Sequence, residues 1–196
     1  RNKIEGYVMS EYLSKITSLL SQIEKEEKQN LDRAARLVAD TIKRDGLIFV
    51  FGCGHSHLPG LDAFYRAGGL ANVSPMLDTD LMLHNGAAKS SRMEKMSGIA
   101  AEIFRRYTPC ENDMIFIFSA SGKNLVPCEM ADAAKAAGIP SVGISSSAYF
   151  GRGGVLHEHV DLAIDCKIPY GDACIKVGEA SMGGLSTAAA CFILNT

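Results

Sequence analysis

Several features that would mark particular classes of protein are absent from this 196-residue sequence. No apolar run approaches the roughly 20 residues of a membrane-spanning helix, and no charged start, apolar stretch and cleavage site precede Met9. Lys and Arg number 20 against 22 Asp and Glu, and the formal net charge of -2 disfavours nucleic acid as a partner. We therefore expect a cytoplasmic protein that binds neither nucleic acid nor membrane.

The sequence also lacks a C-x-x-C pair and any short His/Cys cluster of the kind that binds zinc. Its six cysteines are scattered along the chain. The even count leaves a disulfide framework as an alternative, although a chain with this aliphatic content does not need cross-links. We predict reduced, mostly buried cysteines, with no metal and no cofactor.

Length and pattern predict one domain over residues 9–196. Residues 1–8, ahead of Met9, are interpreted as an added expression sequence or a preceding segment. Residues 183–196 form a small, apolar, helical pattern that stops without a cap or a polar tail, so we expect the native protein to continue beyond it.

Hydrophobic periodicity predicts an alternation of helices and strands. Apolar residues at helical spacing predict one long helix or two consecutive helices over 10–44, and a further helix over 125–137. Continuous apolar runs, typical of strands buried on both faces, occur at 47–51, 114–118 and 139–144, with weaker candidates at 73–77 and 162–164. This alternation predicts a doubly wound α/β fold with a parallel sheet, whose ligands bind beyond the carboxyl ends of the strands.

The first such loop reads Gly52-Cys53-Gly54-His55-Ser56-His57. It begins like a dinucleotide-binding fingerprint, but His57 stands where the third glycine is required. Asp78 and Asp80 come near the ribose-binding position, so a nucleotide remains an alternative. A tight strand-to-helix turn explains the glycines alone, whereas Ser56 and the two histidines favour a ligand site.

The second loop, Ser119-Ala120-Ser121-Gly122-Lys123-Asn124, lies between a buried strand and a helix. Backbone N–H groups at a helix N-terminus, with serine hydroxyls beside them, suit a phosphate. The spacing does not fit a Walker loop, because position 117 is Ile and position 124 is Asn. The alternative is that Ser121 or Asn124 only caps the helix.

Further candidates are open to two interpretations each. Ser147, in the third loop of serines at 145–147, either binds ligand or forms a turn. Glu94 is either a catalytic carboxylate or an N-terminal-turn residue of the helix that continues through Ile103, and Glu179 is either catalytic or a cap of the last helix. His157 and His159 suggest a surface segment more than a metal site.

The two loops after the strands carry a resemblance to the sugar isomerase (SIS) domain family of phosphosugar-binding proteins. Phe118-Ser-Ala-Ser-Gly-Lys-Asn124 resembles the family's Ser-x-Ser-Gly-x-Thr/Ser/Asn phosphate loop. Gly54-His-Ser-His57 and Phe64-Tyr-Arg-Ala-Gly-Gly69 are most similar to uncharacterised bacterial members. Phosphoheptose isomerase and N-acetylmuramic acid 6-phosphate etherase are more distant relatives.

The resemblance implies a five-stranded, flavodoxin-like parallel sheet, a homodimer or homotetramer, and a sugar phosphate held by Ser119, Ser121 and Asn124. Asp62 and Arg66 stand where phosphoheptose isomerases place a His and a Glu of their metal and acid/base site. Neither the heptose reaction nor its zinc is therefore implied for this chain.

The predicted activity is aldose–ketose isomerisation of a sugar phosphate through an enediol, which needs an anchored phosphate, a general base and donors for the developing oxyanion. Glu94 or Glu179 is the candidate base, and His55 or His57 the candidate for ring opening or carbonyl polarisation. The candidate phosphosugar ligands are Gly52, Gly54, Ser56, Ser119, Ser121, Gly122, Asn124 and Ser147. A non-catalytic phosphosugar sensor and an amino-sugar-phosphate lyase remain alternatives.

Overall fold

The computed structural model describes the backbone of residues 2–196 and the side chains from residue 11 onward. Its α-helices are α1 (Asn2–Glu26), α2 (Lys28–Lys43), α3 (Leu58–Ala63), α4 (Ala87–Met93), α5 (Ile99–Tyr107), α6 (Leu125–Ala136), α7 (Leu156–His159) and α8 (Ser186–Asn195). Its strands are β1 (Ile48–Gly52), β2 (Val73–Pro75), β3 (Met114–Phe118), β4 (Ser141–Ser145), β5 (Leu162–Asp165), β6 (Ala173–Val177) and β7 (Ala180–Gly184).

The first five strands form one sheet in the order β2-β1-β3-β4-β5, and every neighbouring pair is parallel. This order confirms the predicted doubly wound α/β fold and the five strands that the resemblance implied. The chain leaves β1 toward one edge of the sheet for β2 and returns to the other side for β3, so strand order reverses between β1 and β3. Ligands of such sheets bind beyond the carboxyl ends of the strands at that reversal.

The apolar runs that predicted the central strands are buried because helices cover both faces of the sheet. On one face, alternate residues such as Ile48 and Phe116 pack with α1, α2 and α8. On the other, Phe49 and Ile117 pack with α5 and α6. All residues of β1, β3 and β4 are buried, which explains why these strands show no polar alternation.

The charged stretch within residues 10–44 divides the N-terminal helical region into two helices. Glu27, the residue between α1 and α2, is only 6% exposed, and its carboxylate lies 3.0 Å from the Lys167 ammonium. Lys167 also lies 3.2 Å from Asp165 at the end of β5. This ion cluster ties the helix junction to the sheet.

Strands β6 and β7 form a separate antiparallel hairpin that the sequence analysis did not predict. Most of its residues are exposed or half-buried, and Ile175 alone among those of its two strands is buried. Within residues 2–196, no helix is both long and apolar enough to cross a lipid bilayer.

Candidate functional site

The first two loops begin at the same level of the sheet, because Gly52 and Phe118 are paired in register. A small cavity opens where they meet. His55 and Ser56 of the first loop and Ser119 of the second line it, together with Ser186 and Thr187 at the start of α8. Hydroxyl groups from three separate elements thus surround one space.

Gly52 permits the sharp turn of the first loop. A Cβ atom at this position would lie 2.1 Å from the Ser56 carbonyl oxygen, which no side chain tolerates. The chain then forms a 3₁₀ turn over Gly54–His57, which presents Ser56 and His55 to the cavity.

The second loop is fixed by backbone hydrogen bonds on both sides. The Ser119 N–H donates to the Ile144 carbonyl at 3.0 Å, and the Gly122 N–H donates to the Ser119 carbonyl at 2.9 Å. The Gly122 carbonyl in turn accepts the N–H groups of Val155 and Leu156. Gly122 has a φ of +60°, a conformation that disfavours side chains, so the glycine is required here.

The capping explanation of Asn124 is wrong for this helix. Asn124 occupies the N-cap position of α6 with extended backbone angles, yet its side chain makes no capping hydrogen bond. Ser121 accepts a bond of 3.4 Å from the Lys123 N–H. Across residues 2–196, no protein acceptor receives the backbone N–H of Ser121 or Asn124, and these donors lie at a positive helix end.

Glu94 lies against this second loop, which the sequence analysis did not foresee. Its position in the N-terminal turn of a helix was predicted wrongly: Glu94 ends α4, and α5 begins only at Ile99 after a turn at Gly98. The Glu94 backbone carbonyl accepts the Val126 N–H at 3.1 Å, at the start of α6. Glu94 and the second loop are therefore neighbours.

Burial raises the pKa of Glu94, and the side-chain amide of Asn124 and the charge of Lys95 only partly oppose this effect. A half-buried carboxyl group with a raised pKa can exchange a proton at moderate pH. Among the candidate acids and bases, Glu94 combines proximity to the second loop with this property.

The two histidines of the first loop have different surroundings. His55 is exposed and lines the cavity. His57 is 4% exposed and donates from Nδ1 to the Gly54 carbonyl, while its Nε2 has no partner within the described part of the chain. Burial lowers the pKa of His57, the hydrogen bond to the Gly54 carbonyl partly opposes this effect, and the nearby His84 and His55 lower the pKa further, which favours the neutral form.

The third loop is held mainly as a turn. Ser146 accepts the Ala148 N–H at 3.2 Å and donates to the Ile168 carbonyl at 2.6 Å. Ser147 is exposed, does not line the cavity, and donates its N–H to Asp165 at 3.1 Å. Burial alone would raise the pKa of Asp165, but hydrogen bonds from Ser147 and Lys167 together with the Lys167 charge lower it.

Within one chain, Glu179 lies in neither the first nor the second loop. It is exposed, at the turn between β6 and β7, and β7 separates it from α8, so its interpretation as a helix cap is wrong. It does not line the cavity.

Sequence reasoning missed Ser186, Thr187 and Cys166 as cavity residues. The Ser186 hydroxyl donates to Asp172 at 2.6 Å, which fixes the start of α8 beside the first loop. A Ser-Thr pair before an apolar helix was the available signal. Burial raises the pKa of the Cys166 thiol to about 12, so it stays protonated and is no nucleophile.

The residues present do not fit the zinc of phosphoheptose isomerases. Asp62 pairs with Arg66 at 2.5 Å and accepts a bond of 3.0 Å from Asn195. In the described part of the chain, no group of three or more His, Cys, Asp or Glu residues is arranged to hold a metal ion. His157 and His159 lie in the short helix α7, where His159 contacts Asp132 and His157 stacks on Phe150.

Relatives of this chain are identified by sequence. A family model described as the SIS domain matches residues 11–146. A UPF0309 protein of Geobacillus thermodenitrificans (strain NG80-2) is 40% identical over 182 residues, covering 89% of this chain and 73% of the relative. A UPF0309 protein of Thermoanaerobacter pseudethanolicus is 39% identical over 201 residues, covering 96% of this chain and 81% of the relative.

Solved structures share the fold at low sequence identity. Phosphoheptose isomerase from Neisseria gonorrhoeae is 14% identical with a TM-score of 0.65, over 98% of this chain and 95% of that one. A phosphoheptose isomerase from Francisella tularensis is 14% identical with a TM-score of 0.60, over 99% and 93%. The sugar isomerase domain of an RpiR transcription factor from Sphaerobacter thermophilus is 14% identical with a TM-score of 0.56, over 98% and 88%.

These comparisons confirm the resemblance that the two loops carry in the sequence. The family model covers more than half of the residues, and the UPF0309 relatives are matched over most of their length. The chain belongs to the SIS domain family.

Proposed function

We propose that this chain binds a sugar phosphate and interconverts its aldose and ketose forms through an enediol. The phosphate lies against the second loop, where Ser119, Ser121 and Asn124 supply hydroxyl, amide and backbone donors at the start of α6. Of these three, Ser119 lines the cavity, and Ser56 and Thr187 line it with Ser119. Such preorganised donors anchor the substrate without needing to rearrange.

The observation that carries the catalytic part of the proposal is the position of Glu94. Its carboxylate removes a proton from the carbon next to the substrate carbonyl, and the electron pair moves to the carbonyl oxygen to give the enediolate. The proton of the neighbouring hydroxyl then passes to the former carbonyl oxygen, and return of the first proton to the former carbonyl carbon leaves a carbonyl on the neighbouring carbon, which completes the isomerisation. A base for this step must accept a proton near neutral pH, which the burial of Glu94 favours.

His55, which is exposed in the cavity, is assigned to ring opening and to donation toward the developing oxyanion. His57 supports the turn that carries His55, because its ring donates a hydrogen bond to the Gly54 carbonyl. Gly54 and Gly52 shape this loop. Ser147 remains a proposed phosphosugar ligand and Glu179 the alternative candidate base, both outside the cavity.

Turnover in D₂O tests the mechanism. A panel of aldose and ketose phosphates is incubated with the protein, and deuterium at the exchanging carbon is followed by NMR. Glu94→Gln is expected to abolish incorporation while retaining binding, and the matched variant Glu111→Gln, at an exposed site, is expected to behave like the unaltered protein. Incorporation by Glu94→Gln at the unaltered rate would refute the role of Glu94.

A second candidate function is phosphosugar sensing without turnover. It is favoured by the likeness to the sugar isomerase domain of a transcription factor. Binding without deuterium incorporation from any member of the panel would support it. Release of a β substituent from an amino-sugar phosphate would instead indicate the lyase.

We further propose that the single domain over 9–196 acts in the cytoplasm as a homodimer or homotetramer. The exposed apolar side chains of Phe64, Tyr65 and Leu70, of which 46%, 94% and 50% respectively is exposed, support association. Sedimentation velocity is expected to give a mass of at least two chains. A single-chain mass at micromolar concentration would contradict association.

A further inference from the structure

Two cations and two tyrosines meet beside the second loop. The Lys123 ammonium lies 5.4 Å from the centroid of the Tyr149 ring and 5.6 Å from that of Tyr170. The Arg152 guanidinium lies 4.5 Å from the centroid of Tyr170. We call these four residues the cation cluster. Because both cations lie against the same ring, they are at most about 10 Å apart.

The positive charges of this cluster are not neutralised by the protein. Among residues whose side chains are described, neither Lys123 nor Arg152 forms an ion pair with a carboxylate. Contact with an aromatic face holds a cation in place without removing its charge or occupying all its N–H donors. Two positioned cations therefore remain available to an anion.

Within the cluster, Tyr149 is the anchored residue, whereas Tyr170 is 55% exposed. Tyr149 is 9% exposed, and its hydroxyl accepts the Gly171 N–H at 2.8 Å. The two tyrosine rings lie 4.9 Å apart, between centroids. A stable base of this kind lets a cation bind an anion with little additional loss of side-chain freedom.

The cluster adjoins the proposed phosphate site. Lys123 lies in the chain between Ser121 and Asn124, and the Gly154 N–H beyond Arg152 bonds the Tyr149 carbonyl at 3.0 Å. Gly154 lies close to the second loop, because a Cβ atom added to it would lie 2.6 Å from the Ser121 carbonyl oxygen. The loop that bears Arg152 is thus packed against the second loop, which bears Lys123.

We propose that the cation cluster binds a second anionic group of the same substrate, so that the chain selects sugar phosphates that also carry a carboxylate or a second phosphate. This inference rests on the proposed function, because Ser119, Ser121 and Asn124 hold the first phosphate. Arg152 offers a planar set of donors suited to either oxyanion, and Lys123 adds a mobile point charge.

Matched ligand pairs test the proposal by calorimetry at low ionic strength. 6-Phosphogluconate and sorbitol 6-phosphate differ only in a carboxylate against a hydroxymethyl group at C1. Fructose 1,6-bisphosphate and fructose 6-phosphate differ in a second phosphate. We expect the member with two anionic groups, in at least one pair, to bind about tenfold more tightly, and the pair that responds identifies the second anion.

Lys123→Gln and Arg152→Gln are each expected to reduce that preference severalfold, with folding checked by circular dichroism. Lys135→Gln removes the same charge from the exposed far end of α6 and is expected to retain the full preference. Equal affinities within both pairs, or a preference that survives both substitutions, would overturn the inference alone. Failure of all four ligands to bind would overturn the proposed function and this inference with it.

Discussion

Replacing Gly122 with alanine is expected to destabilise the fold and weaken phosphate binding together. The residue has a φ of +60°, which costs an L-residue about 1–2 kcal/mol. The new Cβ would lie 3.3 Å from the Cβ atoms of both Leu156 and Ser145. These contacts are tighter than normal packing, so the second loop must shift away from α7 and β4.

The expected loss in the free energy of unfolding is about 2 kcal/mol, because strain and crowding add while the stiffer unfolded chain offsets part of the cost. For a chain of this size that corresponds to a fall in Tm of about 4–8 °C. Because Ser121 and Asn124 move with the loop, the affinity for a neutral sugar phosphate is expected to fall about tenfold.

Two other glycines separate the causes. Gly138 has a φ of +70° but no atom within 4 Å of an added Cβ, so Gly138→Ala is expected to cost only about 1 kcal/mol through strain. Gly151 has neither feature, so Gly151→Ala is expected to leave Tm unchanged or slightly higher. Differential scanning calorimetry measures all three. If Gly122→Ala has the same Tm as Gly138→Ala and binds sugar phosphate with unaltered affinity, the predicted effect of the close contacts at Gly122 is refuted.

Further predictions concern titrating groups. Because burial raises the pKa of Glu94, the rate of isomerisation is expected to fall on the acid side at a pH above 4.5. Asn124→Ala is expected to shift this limb of kcat to still higher pH, because it removes a hydrogen bond that lowers the pKa of Glu94; an unmoved limb contradicts the contact. Asp165→Asn is expected to lower the free energy of unfolding by about 2 kcal/mol at pH 7, since it removes the ion pair with Lys167 and weakens the bond from Ser147. The folded-state pKa of Asp165 is lowered from 3.8, so the stabilisation that its carboxylate provides is present above that pH and is lost as the pH falls through the folded-state pKa. The free energies of unfolding of variant and unaltered protein, measured by urea titration, should therefore converge in acid. A difference that stays constant with pH would refute the assignment.

The buried strands were predictable because a strand covered on both faces must be apolar throughout. The ends of the strands were harder to predict. Strand β4 begins at Ser141, after Pro140, rather than at the predicted Ile139. Strand β2 ends at Pro75 although the apolar pattern runs to Leu77. The order of the strands comes from pairing between distant segments, which one sequence does not reveal. The β6–β7 hairpin was missed because its exposed, glycine-containing sequence lacks a clear apolar alternation.

The second loop could be predicted as a candidate phosphate site because its signal is local: serines and glycine between a buried strand and a helix. The sequence named Glu94 as a candidate base but did not place it beside this loop, and it missed Ser186 and Thr187. Glu94 approaches Asn124 only because α4 ends before a separate α5, and Ser186 and Thr187 arrive from the far end of the chain. Likewise, the contact of Lys123 with Tyr170 joins residues far apart in the sequence.

A crystal structure of this chain with sorbitol 6-phosphate, beside one of Ser121→Ala treated identically, tests the central claim most directly. We expect the phosphate within hydrogen-bonding distance of Ser119, Ser121 and Ser56 in the unaltered protein, and weakened or lost density in the variant. A phosphate bound elsewhere, or bound in the same place with full occupancy by Ser121→Ala, would contradict the assignment of the second loop as the phosphate site.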